Sequence, residues 1–193
     1  LSANDLSILP DSLFKNNKEL RILSITDNAL VKLPSSLSSA SNLENLGLGN
    51  NRLTNLPDYV GEFASLKQLD LKFNNISKIS EDTWKNLAKR DGLKIDLIHN
   101  NLTSLPSLED VKFASLDVAA NMLPAEIPDS YKALKIGEKN QGGYYAQRSP
   151  VDYNITAKNG KVEFSNKKDM NILDLLNWNE AVTHENKSVF KMS

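Results

Sequence analysis

Six copies of one spacing run through the first two-thirds of this 193-residue chain and limit what it can fold into. Anchored on an asparagine, each copy reads apolar-x-x-apolar-x-apolar-x-x-Asn-x-apolar-x-x-apolar, usually with proline next. Leu20, Leu23, Ile25, Asn28, Leu30, Leu33 and Pro34 fit it, as do Leu43, Leu46, Leu48, Asn51, Leu53, Leu56 and Pro57. A third full copy is Leu66, Leu69, Leu71, Asn74, Ile76 and Ile79. The asparagines fall at 4, 28, 51, 74, 100 and 121, in steps of 24, 23, 23, 26 and 21 residues. Each copy holds too few apolar residues to bury a face by itself, so neighbours must stack into a continuous core. The Leu-x-x-Leu-x-Leu segment predicts a short strand with alternating leucines inward and the residues between them outward. Successive strands then form a parallel sheet at a spacing of about 4.8 Å.

These residues resemble the leucine-rich repeat family, in its type with typical 23- and 24-residue repeats found on bacterial surface and secreted proteins. The resemblance implies an α/β repeat solenoid: a horseshoe arc with a parallel β-sheet on its concave face and a mostly extended or 3₁₀ convex side. It also implies that Asn28, Asn51, Asn74, Asn100 and Asn121 form a buried hydrogen-bonded ladder, with a structural role. Leu-Pro pairs at 9–10, 33–34, 56–57 and 105–106 mark the return path, because proline disfavours a further ladder bond and holds the preceding residue extended. Ser80, Glu81-Asp82, Trp84, Leu87 and Ala88 predict one brief helix, with a serine cap and an acidic first turn. The later repeats drift. The first apolar position falls on Gly92 with Leu93 one place off, Ile127-Pro128 comes one residue late, and a degenerate strand is expected at Tyr131, Leu134 and Ile136, ending near Asn140.

The period stops near residue 140, which divides the chain into a solenoid over 1–140 and a small β-rich module or cap over 141–193. Gly142-Gly143 reads as the hinge between them. In the second part, Val151, Tyr153, Ile155 and Ala157 alternate with polar residues. Asn159-Gly160 follows, and Val162 and Phe164 alternate again, which is a hairpin signature. Met170 to Trp178 suits a short helix or a buried strand, and Ala181 to Ser193 is polar. The chain opens in mid-repeat, which predicts a longer parent protein whose export signal and anchor lie outside it.

Composition narrows the function. The net charge is −1 with no basic block, so neither nucleic acid nor an anionic membrane is expected as a partner. No apolar run approaches the length of a membrane span, and none is expected to insert. The absence of cysteine rules out disulfide caps and points to a bacterial surface or a cytoplasmic setting. Catalytic signatures are missing, and His99 and His184, the two histidines, lie far apart in the sequence. We therefore expect no enzyme, no cofactor and no metal, and a monomer that binds a protein or a glycan.

The outward strand positions read Ile22, Ser24, Thr26, Asp27; Asn45, Gly47, Gly49, Asn50; Gln68, Asp70, Lys72, Phe73; Lys94, Asp96, Ile98, His99; and Ser115, Asp117, Ala119, Ala120. Asp70, Asp96 and Asp117 share one register, an arrangement that raises carboxylate pKa values. Lys72 and Lys94 lie diagonally and could neutralise them. The row is either a self-compensated charge ladder or a site for a basic partner or a cation. Phe73, Ile98 and His99 adjoin at the far edge of the strands, either as an interface anchor or packed against the turn. The reading that follows is a concave-face binding module of a bacterial cell-surface or secreted protein, of adhesin type. An intracellular scaffold regulating a partner enzyme is the alternative, and a targeting arm of a larger enzyme ranks last.

Overall fold

The computed structural model describes residues 1–124 and 128–134, together with two strands at 154–158 and 161–165. Five short strands, β1 (Ile22–Ser24), β2 (Asn45–Gly47), β3 (Gln68–Asp70), β4 (Lys94–Asp96) and β5 (Ser115–Asp117), pair in parallel and in chain order. Their register is unbroken: Leu23 lies opposite Leu46, Leu46 opposite Leu69, Leu69 opposite Ile95, and Ile95 opposite Leu116. All five of these central residues are buried, as the alternation requires. One continuous core runs behind the sheet from Leu9 to Tyr131. Each fully buried leucine or isoleucine in it contributes about 1.5–3 kcal/mol, yet no repeat completes its own packing without a neighbour.

The return path is built as the prolines suggest. Pro34 and Pro57 sit extended immediately before 3₁₀ turns at Ser35–Ser39 and Asp58–Glu62, which bury Leu37 and Val60. The longest repeat instead forms the one α-helix among the described residues, α1 (Glu81–Ala88). Ser80 caps it by accepting the Thr83 N–H at 3.1 Å, and Trp84, Leu87 and Ala88 face inward. Asp58 of the preceding repeat accepts from Thr83 Oγ1 at 2.8 Å and also from the Ser80 hydroxyl. These two donors hold its carboxyl below the usual range.

The irregular repeats accommodate their shifts locally. Gly92 takes φ +75° at the register position of Leu66, and Leu93, one residue later, fills the buried site. The strand expected at Tyr131 is corrected: Asp129–Leu134 is a 3₁₀ turn. Ser130 there accepts the Leu108 N–H, as Ser36 accepts the Phe14 N–H, so Tyr131 occupies the inward place held by Leu37 on the return path. Its buried ring follows the apolar spacing, but the spacing belongs to the turn.

The chain divides into two compact units, 1–147 and 148–193. In the second, β6 (Asn154–Lys158) and β7 (Lys161–Ser165) pair antiparallel, with Ile155 opposite Phe164 and Ala157 opposite Val162. Lys158 faces Lys161 across the Asn159-Gly160 connection, which is the hairpin that the Asn-Gly pair predicts. The expected boundary at 140, the Gly142-Gly143 hinge, Val151 and Tyr153, the Met170–Trp178 segment, His184 and the Ala181–Ser193 stretch lie outside the described residues.

Asparagine amides join the repeats. Asn74 Oδ1 accepts the Leu53 N–H at 2.9 Å, and its Nδ2 donates to Leu48 O and Leu71 O at 3.0 Å each. Asn51, Asn100 and Asn121 repeat this pattern and are likewise buried. Asn28, at the N-terminal end of the stack, departs from the expected burial: it is half-exposed and donates to Leu1 O and Thr26 O. Replacing Asn74 by alanine orphans the buried Leu53 N–H, whereas Leu48 O keeps its bond from Asn51 and Leu71 O its bond from Asn100; a buried donor left unpaired costs about 1–3 kcal/mol. Asn74→Ala should therefore lose about 1–3 kcal/mol in urea unfolding, and Asn28→Ala clearly less. Equal losses would mean that burial does not govern the ladder's contribution.

Candidate functional site

Because the inward leucines and the asparagines carry the fold, the residues between them on each strand are free to vary. On β3, β4 and β5 those residues enclose a shallow recess of about 350 Å³, lined by Gln68, Asp70, Lys94, Asp96, Ser115 and Asp117 over the strand backbones. Asp70, Asp96 and Asp117 are direct neighbours across the sheet. Each folds back on its own strand: Asp70 Oδ1 accepts the Lys72 N–H, Asp96 Oδ1 the Ile98 N–H, and Asp117 Oδ1 the Ala119 N–H, at 3.0–3.1 Å. The three carboxylates are thus aligned by backbone donors rather than converged on a point. Among the described residues no group of three or more His, Cys, Asp and Glu is placed to hold a metal ion.

Burial comes first among the causes that hold the middle carboxyl, Asp96, above its ordinary value, and the flanking charges of Asp70 and Asp117 add to it. The Ile98 N–H and Lys72 act in the opposite sense. The neutralisation expected from two lysines is only half realised. Lys72 Nζ lies 3.3 Å from Asp70 Oδ2, while Lys94 is exposed and forms no ion pair among the described residues. Lys94 begins its strand two residues from Asp96, and Lys72 is the cation that acts on Asp96. Gly49 lies against the Asp70 carboxylate at the near end of the row. A Cβ there would fall 2.9 Å from Asp70 Oδ1, so only glycine leaves that carboxylate its place.

Beyond the recess the strands turn, and the geometry of that turn places the second group. The residue before each asparagine adopts the left-handed conformation: Ala3, Asp27, Asn50, Phe73, His99 and Ala120 all have φ between 53° and 57°. This repeats at every ladder step and was not evident from the spacing alone. Aspartate and asparagine tolerate such a φ; a phenylalanine does so at a cost on the order of 1–2 kcal/mol. Phe73 nevertheless sits there 48% exposed, its ring stacked on His99 at 4.7 Å between centroids and 15° between planes. Ile98, half-buried, separates this shelf from Asp96 and accepts the Phe73 N–H through its carbonyl.

A third group went unrecognised from the sequence. Glu44 pairs with Arg21 on one side and with Lys67 Nζ at 2.7 Å on the other, which holds its carboxyl below the usual range through the Lys67 and then the Arg21 hydrogen bonds. The signal was present as charges of alternating sign at 23-residue steps, one position before the strands. Asn50 Nδ2 likewise donates to Asp27 Oδ1 at 2.7 Å. The face over β1 and β2 is therefore internally paired, whereas among the described residues on the face over β3 to β5 only Asp70 is paired, with Lys72.

The model of the leucine rich repeat family matches residues 41–91, which span β2 and β3 and end with α1 and the turn after it. Among solved structures, a leucine-rich repeat protein of Leptospira interrogans is similar at 27% identity with a TM-score of 0.60. The match covers 70% of this chain and 34% of that one, so this chain spans about a third of its length. No curated protein matches.

The charge row carries a testable consequence. Folded Asp96 holds its proton more tightly than the unfolded chain does. Its contribution to stability is therefore fully present below the ordinary carboxylate pKa, near pH 4, and is lost as the pH rises through the raised value. Asp96→Asn keeps an acceptor for the Ile98 N–H and removes the like charge. It should stabilise the protein at pH 7 by a few tenths to about 1 kcal/mol, a gain that vanishes below about pH 4. Urea unfolding of both proteins at the two pH values checks this; a less stable variant at pH 7 would show that the lysines fully compensate the row.

Proposed function

We propose, on the premise that this chain is a leucine-rich repeat protein, that it acts by binding rather than by catalysis and recognises a macromolecular partner through the outward face of β3 to β5. The observation that carries this reading is the contrast across one sheet. Over β1 and β2 the charged residues satisfy one another, while over β3 to β5 Lys72 pairs with only one of three aligned carboxylates, and Lys94 and an exposed aromatic pair remain available. A surface with unspent charge and an exposed ring has more to gain from a partner than one already paired. Asp70, Lys72, Phe73, Lys94, Asp96, Ile98, His99 and Asp117 make up this face, and the partner is taken to be a protein.

We place the protein at the surface of a bacterium or among its secreted products. Two observations support this: the sequence has no cysteine, and the similar structure is that of a leucine-rich repeat protein from a bacterium. Among the described residues no helix is long and apolar enough to cross a membrane.

The test is a binding screen of the chain against surface proteins and glycans, beside a variant with Asp70, Lys72 and Asp96 replaced by alanine. A partner should be retained by the chain and lost by the variant, whose circular dichroism stays unchanged. Binding should also weaken several-fold between low and high salt, because exposed charges are screened beyond roughly 10 Å at 0.1 M. Retention by the folded triple variant would move recognition off this face.

A further inference from the structure

The Phe73–His99 shelf is expensive to hold and poorly used by the fold. Four of the six left-handed positions carry alanine, aspartate or asparagine, which serve the turn at least as well. At β3 and β4 the same position carries a phenylalanine and a histidine, which stack on one another and leave the phenylalanine ring half in water. Backbone strain that serves an exposed side chain marks a place where that side chain is used. The surroundings of the shelf indicate what it takes. Asp96 and its two neighbouring carboxylates lie three residues back along the strand, within the span of two same-face side chains of an extended segment. Lys72 satisfies one of the three, and Lys94 satisfies none. A cation set beside Asp96 would meet the charge that Asp70 and Asp117 now oppose. A ring or guanidinium plane laid on Phe73 would find a flat, rigid partner.

We infer that the shelf and the recess together seat a basic segment of a protein partner: an extended chain that sets an arginine or lysine against Asp96 and lays a neighbouring apolar or aromatic side chain on Phe73. This rests on the reading of the β3–β5 face as the binding surface and adds the chemistry of what occupies it. Arginine suits the seat better than lysine, since its planar fork can engage a carboxylate and stack at once.

The experiment titrates the ¹⁵N-labelled full chain with two capped pentapeptides, Gly-Arg-Gly-Phe-Gly and Gly-Glu-Gly-Phe-Gly. The arginine peptide should shift the amides of Asp96, Ile98 and His99 in a saturable manner, and the glutamate peptide should not. Phe73→Asn, which suits the left-handed turn, should leave Tm unchanged or higher while weakening Kd about tenfold or more. Asp96→Asn should abolish the preference for arginine over glutamate. Equal shifts with both peptides, or a Kd unaffected by Phe73→Asn, would overturn the inference. So would a natural partner that engages β3 to β5 through an acidic segment, and that result would leave the proposed binding face standing.

Discussion

Everything else in the solenoid depends on a side-chain amide standing in for backbone. Where the chain leaves each strand, the N–H of the next turn and the strand carbonyls of two repeats point into the core, away from water. Unpaired, each would be costly. One asparagine answers all of them at once, with an oxygen toward the preceding repeat and two amide hydrogens toward carbonyls of both. The same set of bonds recurs at Asn51, Asn74, Asn100 and Asn121, so the ladder fixes the step between repeats. The leucines supply most of the burial energy, but they are non-directional and would tolerate sliding. The amides do not.

That division of labour explains why the repeat was legible and why its exceptions were too. Inward leucines at a period of two, asparagine at the exit and proline on the return path each have a single physical reason, and the structure places them accordingly. Ser80 announced α1 because a helix needs an acceptor for its first free N–H groups and serine supplies one. Tyr131 misled because an apolar spacing alone does not say whether it lies on a strand or on the turn opposite. The Ser130 bond to the Leu108 N–H, which decides the matter, joins residues 22 apart and is visible only in three dimensions.

The candidate site was legible to a different degree. Its register could be counted, and so the alignment of Asp70, Asp96 and Asp117 was foreseen. The direction in which a lysine turns could not, because long side chains settle by local competition among nearby partners. Lys72 reaches the carboxylate two residues back on its own strand, while Lys94 remains in solvent. The left-handed turn before each asparagine was equally hidden, since Ala3, Asp27, Phe73 and His99 share no chemistry from which a common φ could be guessed. What they share is position relative to the ladder.

This last point bears on how such a chain acquires a function. A ladder that forces φ near 55° at one residue per repeat projects that residue at the rim of the sheet, whatever its identity. The fold prefers small or amide side chains there and tolerates others at a cost of roughly 1–2 kcal/mol. Stacked leucine repeats hold stability in reserve because interface terms add along the array. A repeat can therefore spend part of that reserve on a phenylalanine at the rim and a crowded carboxylate beside it without losing its register. Asp96 and Phe73 share that character: the fold would be more comfortable with asparagine at either position. The proposed binding role accounts for both residues at once: each is placed where it would meet a partner and where asparagine would serve the fold as well.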